Sequence, residues 1–239
     1  MDRAVARSFA LLECLVRAGE PLRLADICQQ VDLQKSTAHR ILRTLGELGY
    51  ADQDSAGRYQ ATLRAWELGA GLIADHPIKR AATGFLQGLH RTTGETVSLT
   101  LLSGDDVLYL DKIIAPRPVR FKTRIGSRAP AVLTAGGKAI LAARPDADEI
   151  IARAATRQPL DIPALAAELE EARRQGYARS GFSPGVTSIG VAIALGAQPA
   201  QAALSISAPT DRLTAKSHKI AIDALLETGA RMAEALDSR

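Results

Sequence analysis

Apolar positions recur with helical spacing through the first third of the chain and then shift toward the alternation of strands. Val5, Phe9, Leu12, Leu15 and Val16 predict an amphipathic helix over residues 3–18, stopped by Gly19-Glu20-Pro21. Leu24, Ile27, Cys28 and Val31 predict a short second helix over about 23–30. Asp32 precedes a third, roughly 34–48, which Gly49 ends. Residues 50–53 and 58–62 predict two short strands around the turn Asp54-Ser55-Ala56-Gly57. Residues 63–75 keep helical character, His76-Pro77 breaks it, and 78–92 predict another helix.

The character then changes. Residues 96–102 and 106–114 are rich in β-branched and aliphatic residues and flank a Gly-Asp turn; 118–125 predict a further strand. Helices are expected over about 135–143 and 161–175, strands at 177–180, 187–195 and 201–207, and a last amphipathic helix over about 213–236. There are no internal repeats and no low-complexity segment. A helical segment with one hairpin, then a sheet with helices, predicts an α+β protein of two domains.

The helix over 34–48 carries the sharpest chemistry. At 100° per residue, Ala38, Ile41, Leu42, Leu45 and Leu48 share one face, and Ser36, His39, Arg40, Arg43 and Glu47 share the other. One face can pack on Leu24 and Ile27 while the other presents hydroxyl, imidazole and guanidinium groups, as a recognition helix in a major groove requires. Arg40 or Arg43 can fork onto a guanine edge. Lys35, Ser36, Thr37 and the helix N-terminus suit phosphate oxygens. Arg58, beside the hairpin turn, is placed to reach the adjacent backbone or minor groove, and Arg3 and Arg7 can add phosphate contacts. Helix, turn, helix and hairpin within residues 20–61 match a winged helix-turn-helix in order and length.

Charge does not make this case. The chain of 239 residues has a net charge of +4, but residues 1–60 hold eight Lys/Arg and eight Asp/Glu. The excess lies in residues 76–239, with 21 Lys/Arg against 16 Asp/Glu. Six basic residues, Lys112, Arg117, Arg120, Lys122, Arg124 and Arg128, crowd 17 positions there; they read either as an anion-attracting mouth or subunit contact, or as a solvated edge strand guarded by charge. No apolar run is long enough to span a membrane, and no signal-peptide pattern opens the chain, so a cytoplasmic location is expected. Cys14 and Cys28 alone build neither a disulfide framework nor a thiolate metal site. His76, His90 and His218 lack metal-ligand spacing. No nucleophile elbow or phosphate loop is present, since Lys138 after Gly136-Gly137 lacks the required spacing and hydroxyl. No cofactor, metal or catalytic residue is expected, and the pattern argues against an enzyme.

The stretch PLRLADICQQVDLQKSTAHRILRTLGELGYADQDSAGRYQ closely resembles the DNA-binding domain of IclR-type (isocitrate-lyase-regulator) transcription factors, on KSTAHRIL, LGELGY and the GRY of the wing. The resemblance continues through LRAWELG, GETVSLTLLSGDDVLYLDKI, VRFKTRIGSRAP, TAGGKAILA and LSISAP, in order and over nearly the whole chain. It implies a winged helix-turn-helix domain over residues 1–62, a linker helix over 63–77, and a GAF-like effector-binding and oligomerisation domain over 78–239. It also implies a dimer or dimer of dimers on double-stranded operator DNA, with repression expected ahead of activation. A small organic effector would bias the placement of the two recognition helices. The linker residues Trp66, Leu68, Leu72 and Ile73 would pack the DNA domains together. Arg23 stands where the family often has a capping Thr or Ser, and Gln34 where it often has Pro.

Carried over residue by residue, the resemblance puts the effector against Thr134, Ala135 and Gly136, Val186 and Ser188, and Ser205 and Ser207, with Leu101 and Phe121 as apolar walls. Small side chains and amides near a helix start suit a carboxylate or other anion. Two readings stay open at this point: Gly136-Gly137 can serve close helix-to-sheet packing, and Ser205 and Ser207 can lie on a packed sheet face. Val132 replaces a usual His, Ser188 a common Cys, and YARSGFSPG is shorter than usual, with Arg179 and Ser180 where acidic residues are common; this points to a preference for anions. The second domain could instead be only an oligomerisation module.

Overall fold

A computed structural model describes residues 2–74, 76–116, 123–195 and 198–238. The chain divides into two compact units, residues 1–75 and 76–239.

In the first unit, Asp2 caps α1 (Arg3–Ala18), its Oδ1 accepting from the Ala4 amide at 2.7 Å, and Gly19 ends it at φ 68°. Asp32, left-handed at φ 49°, makes the tight turn between α2 (Leu24–Val31) and α3 (Lys35–Glu47). Leu11, Leu15, Ile27, Ala38, Ile41, Leu42, Leu45 and Tyr59 close one small core. A hairpin of β1 (Ala51–Gln53) and β2 (Tyr59–Ala61) follows, and paired backbone bonds between Leu22 and Tyr59, 2.7 and 2.8 Å, tie it to the segment before α2. The unit ends in α4 (Arg64–Ala74).

The apolar faces of α1 and α3 are not fully covered. The α1 stripe is only partly covered: Leu15 is buried and Leu12 half-buried, but Val5, Phe9 and Val16 are exposed. Leu48 leaves the core face of α3 and is exposed, because the helix closes at Glu47 and the chain turns at Gly49 toward β1. A core built from three short helices has too little surface to cover a stripe this broad.

The second unit is a six-stranded antiparallel sheet of order β5-β4-β3-β8-β7-β6. Its strands are β3 (Thr96–Ser103), β4 (Asp106–Ile113), β5 (Arg128–Pro130), β6 (Ala178–Ser180), β7 (Val186–Leu195) and β8 (Gln198–Pro209). One face is covered by α5 (Pro77–Thr93) and α9 (Ala215–Asp237). The other packs against α6 (Ala135–Ala142), α7 (Ala147–Ala155) and α8 (Ile162–Gln175). The strand expected at 118–125 falls largely on residues outside the described ones, among them Phe121, Arg117, Arg120 and Lys122. Residues 123–125 are not in strand; β5 forms this edge instead, where the Arg128 guanidinium donates to Ser103 O and Oγ, each at 3.0 Å. Helix α7 is not among the expected elements, although Ala147, Ile150, Ile151 and Ala154 line up at helical spacing and are buried.

Two local features shape the face under α6. The β3–β4 register slips by one residue between Leu99↔Asp111 and Thr100↔Tyr109, leaving Leu110 as an unpaired bulge residue. Consecutive β4 residues are therefore both buried, and Tyr109 joins the cluster packed with α6. Gly190 on β7 allows the start of α6 to rest on the sheet, since a Cβ there would lie 2.6 Å from Ala135 C and Gly136 N.

Candidate functional site

The first unit presents one polar helix face. On α3, Ser36, His39, Arg40, Arg43 and Glu47 are all exposed, opposite buried Ala38, Ile41, Leu42 and Leu45. Lys35 is exposed and Thr37 half-buried at the N-terminus. Gln34 gives no side-chain cap, and the first backbone bond of the helix runs from Ala38 N to Gln34 O at 3.0 Å. The amides of the first turn therefore face outward without internal partners. Arg43 leans on Glu47 at 3.6 Å, with both side chains exposed. Arg40 makes no ion pair among the described residues.

Arg58 is differently placed from the others. Asp54 organises the wing turn: its Oδ1 accepts from the Ala56 amide at 2.9 Å and the Arg58 amide at 2.8 Å, and its Oδ2 accepts from Arg58 Nε at 2.8 Å. These bonds, the amide bond of Arg58 first among them, hold the Asp54 carboxyl below the usual range. One edge of the Arg58 guanidinium thus serves the turn, while 47% of the side chain stays exposed.

The second unit contains a pocket between the sheet and the start of α6. It is lined by Thr100, Tyr109, Thr134, Ala135, Gly136, Ser180, Phe182, Ser183, Ser188, Ser205 and Ser207. Eight of these bear hydroxyls, and none is charged. Thr134 caps α6, its Oγ1 accepting from Gly137 N at 3.1 Å, and Lys138 N donates to Thr134 O. The amides of Ala135 and Gly136 are left without partners inside the helix. Ser188 and Ser207, register partners on β7 and β8, bond through their hydroxyls at 2.8 Å. Ser180 Oγ donates to Leu133 O at 2.5 Å and accepts from Phe182 N, which fixes the turn after β6 against the entry to α6.

Of the residues expected here from sequence, the fold gathers Thr134, Ala135, Gly136, Ser188, Ser205 and Ser207. Leu101 is not among them: strand alternation turns it to the opposite face, and its neighbour Thr100 lines the pocket. Val186 shares the face of Ser188 but sits at the start of β7, paired with Pro209 and beyond the pocket. Phe121 lies outside the described residues. Arg179 is exposed and points away from the pocket, while its neighbours Ala178 and Ser180 are buried, so the anion preference gains nothing from it. Thr100, Tyr109, Phe182 and Ser183 are not among the expected residues, and Ser180 is expected only to shift the preference toward anions; alternation from Leu101 points to Thr100. Gly136 and Gly137 also serve packing: added Cβ atoms would come 2.9 Å from Thr100 Oγ1 and 2.2 Å from Ala131 O. Lys138, the residue of the phosphate-loop-like fragment, pairs with Glu168 instead.

Two family descriptions match, an IclR helix-turn-helix domain over residues 4–55 and the C-terminal domain of bacterial transcriptional regulator IclR over residues 70–234. The chain belongs to the IclR family. It is a transcriptional regulator with a helix-turn-helix DNA-binding domain, and its named relatives are regulators rather than enzymes. It is 34% identical over 225 residues to the probable transcriptional regulator SauR of Cupriavidus necator, covering 89% of this chain and 88% of that one. It is 30% identical over 222 residues to the transcriptional repressor AllR of Escherichia coli, covering 89% and 82%. In fold it is similar to Thermotoga maritima IclR (TM-score 0.78, 24% identity, 98% of each chain). It is likewise similar to an IclR homolog from Microbacterium hydrocarbonoxydans complexed with 4-hydroxybenzoate (TM-score 0.82, 23% identity, 99% and 100% of the chains). No helix among the described residues is long and apolar enough to cross a membrane, and no group of His, Cys, Asp and Glu there could hold a metal ion. This IclR-family chain lacks side-chain caps at Arg23 and Gln34 alike.

Proposed function

We propose that this IclR-family regulator is a cytoplasmic repressor that reads operator DNA through α3 and is controlled by a small organic acid bound under α6. The observation that carries the DNA half is the single exposed stripe Ser36, Arg40, Arg43 and Glu47, spaced along one side of α3, with open amides at its start. Arg40 and Arg43 supply base-edge donors; Lys35, Ser36, Thr37 and the amides supply phosphate contacts; His39 and the exposed part of Arg58 flank them. The repressor sense follows the similarity to AllR.

The effector half rests on a pocket that offers donors and no charge. Two helix-start amides and a ring of hydroxyls suit a carboxylate, and the relative holding 4-hydroxybenzoate is a carboxylate complex on the same fold. A dimer is favoured by large exposed apolar side chains in the DNA unit: Phe9 at 61%, Leu63 at 77%, Trp66 at 68% and Leu72 at 78% exposure. Two recognition helices would then address half-sites about 34 Å apart.

The test is Arg40→Ala. Its side chain has no ion pair among the described residues, so the fold and the thermal midpoint should stay unchanged. Affinity for the promoter fragment should fall by about 5- to 150-fold, the loss of one bidentate base contact at about 1–3 kcal/mol. Fluorescence anisotropy against specific and scrambled duplexes measures it. Equal affinity of variant and parent for the specific duplex would remove Arg40 from the reading surface.

A further inference from the structure

We propose that the Tyr109 phenol is the specificity-determining donor of this pocket, selecting carboxylates that carry a second oxygen over the same skeleton without it. The proposal rests on the reading of the pocket as the effector site.

Most pocket hydroxyls already have protein partners. Thr134 caps α6, Ser188 and Ser207 bond each other, Ser180 donates to Leu133 O, and Thr100 donates to Ala203 O at 3.4 Å. Tyr109, Ser183 and Ser205 differ: none of their hydroxyls has a hydrogen-bond partner among the described residues, and of the three Ser183 is half-buried while Tyr109 and Ser205 are each only 7% exposed. Among the described residues the sealed unpartnered side-chain atoms are His76 Nδ1, Ser98 Oγ and His218 Nε2, so the Tyr109 and Ser205 hydroxyls instead open onto the pocket, where water or a ligand can complete them. Burial also pushes the Tyr109 phenol upward, so it stays a protonated donor throughout the neutral range.

The bulge explains how Tyr109 comes to be there. Had the register of Leu99↔Asp111 continued, Thr100 would face Leu110, and an aliphatic side chain would occupy this position. The extra residue re-aims β4 so that the phenol enters the pocket beside Thr100. Donors then converge from different sides. The Ala135 and Gly136 amides rest over Gly190 on β7, whereas Tyr109 comes from β4, three strands away, or about 14 Å at ordinary strand spacing. The amides take the carboxylate, no side-chain charge competes for it, and the phenol is left to meet an oxygen elsewhere on the ligand.

The experiment titrates the full chain, Tyr109→Phe and Ser205→Ala with two matched pairs by calorimetry: lactate against propionate, and 4-hydroxybenzoate against benzoate. The parent should prefer the oxygen-bearing member of at least one pair by about 3- to 10-fold, the span of one hydrogen bond. Tyr109→Phe should abolish that preference and leave the affinity for the deoxy member unchanged, a result that a packing role for the ring would not produce. Ser205→Ala should weaken both members of the pair. If the parent shows no preference, or Tyr109→Phe retains it while Ser205→Ala weakens binding, the assignment of Tyr109 is wrong and the pocket reading survives. If no probe binds the parent, the pocket reading falls, and this proposal with it.

Discussion

Replacing Gly190 by alanine adds one methyl group where the backbone of α6 already lies. The new Cβ would stand 2.6 Å from Ala135 C, 2.6 Å from Gly136 N and 2.7 Å from Ala135 O. Ordinary carbon contacts begin near 3.4 Å or beyond, so the start of α6 must lift by about 0.8 Å. The helix cannot lift freely, because Thr134 caps it, Ser180 holds Leu133 O, and buried Ala139, Ile140 and Leu141 anchor its far side. Overpacking of this kind costs about 1–3 kcal/mol. With backbone as the obstacle, the upper half of that range is expected, about 2–3 kcal/mol. For a unit of residues 76–239, that lowers the thermal midpoint by about 4–12 °C. Hydrogen exchange in peptides over residues 186–209 isolates this unit from the DNA unit, and calorimetry gives the midpoint. Gly84 is the internal control: it lies inside α5 with nothing within 4 Å of its Cβ, so Gly84→Ala should stabilise by about 0.5–1 kcal/mol. Gly136→Ala should fall between them, as its closest obstacle is a side-chain oxygen at 2.9 Å. If Gly190→Ala costs less than about 0.5 kcal/mol relative to the parent, below the overpacking range, α6 does not rest on β7 and the pocket described above is not formed.

The remaining expectations concern the DNA unit. Arg23→Ser supplies the missing cap of α2, whose N-cap residue already has extended backbone at φ −75° and ψ 149°; denaturant unfolding should show a gain of about 0.5–1 kcal/mol, and no gain would mean that the first-turn amides are already satisfied. Asp54 has a carboxyl value lowered in the folded wing, so the stability it contributes is full above the unfolded value near 3.9 and is lost as pH falls through the lower folded value. In an NMR titration the Arg58 amide should shift with a midpoint below 3.9; a midpoint at or above that value would show that the turn does not use Asp54 as drawn.

Much of the architecture was legible because it depends on period and punctuation. Gly19 and Gly49 follow helix ends where expected, with left-handed backbone, and both repeats, 3.6 and 2, are plain in the apolar positions. Helix α7 escaped notice because nine residues hold barely two turns of pattern, although Ile150, Ile151 and Ala154 carried it. The pocket was half legible. Motif positions identified the α6 start and the serines of β7 and β8, whereas Leu101 in place of Thr100 was an error of one residue, which on a strand is an error of face.

The sequence by itself determined the two units, the family, and the polar face of α3, since a helix fixes which residues share a side as soon as it forms. It also placed Ser205 and Ser207 on one side of a strand. Tertiary structure alone decided which hydroxyls were left unpaired and which side chains β4 turns inward. A bulge changes strand parity without any mark in residue spacing, and a partner such as Leu133 O for Ser180 or Ala203 O for Thr100 lies far along the chain. Coverage of apolar surface was decided there too. Val5, Phe9 and Val16 belong to the apolar stripe that predicts α1, and only the packed fold leaves them exposed while Leu15 is buried.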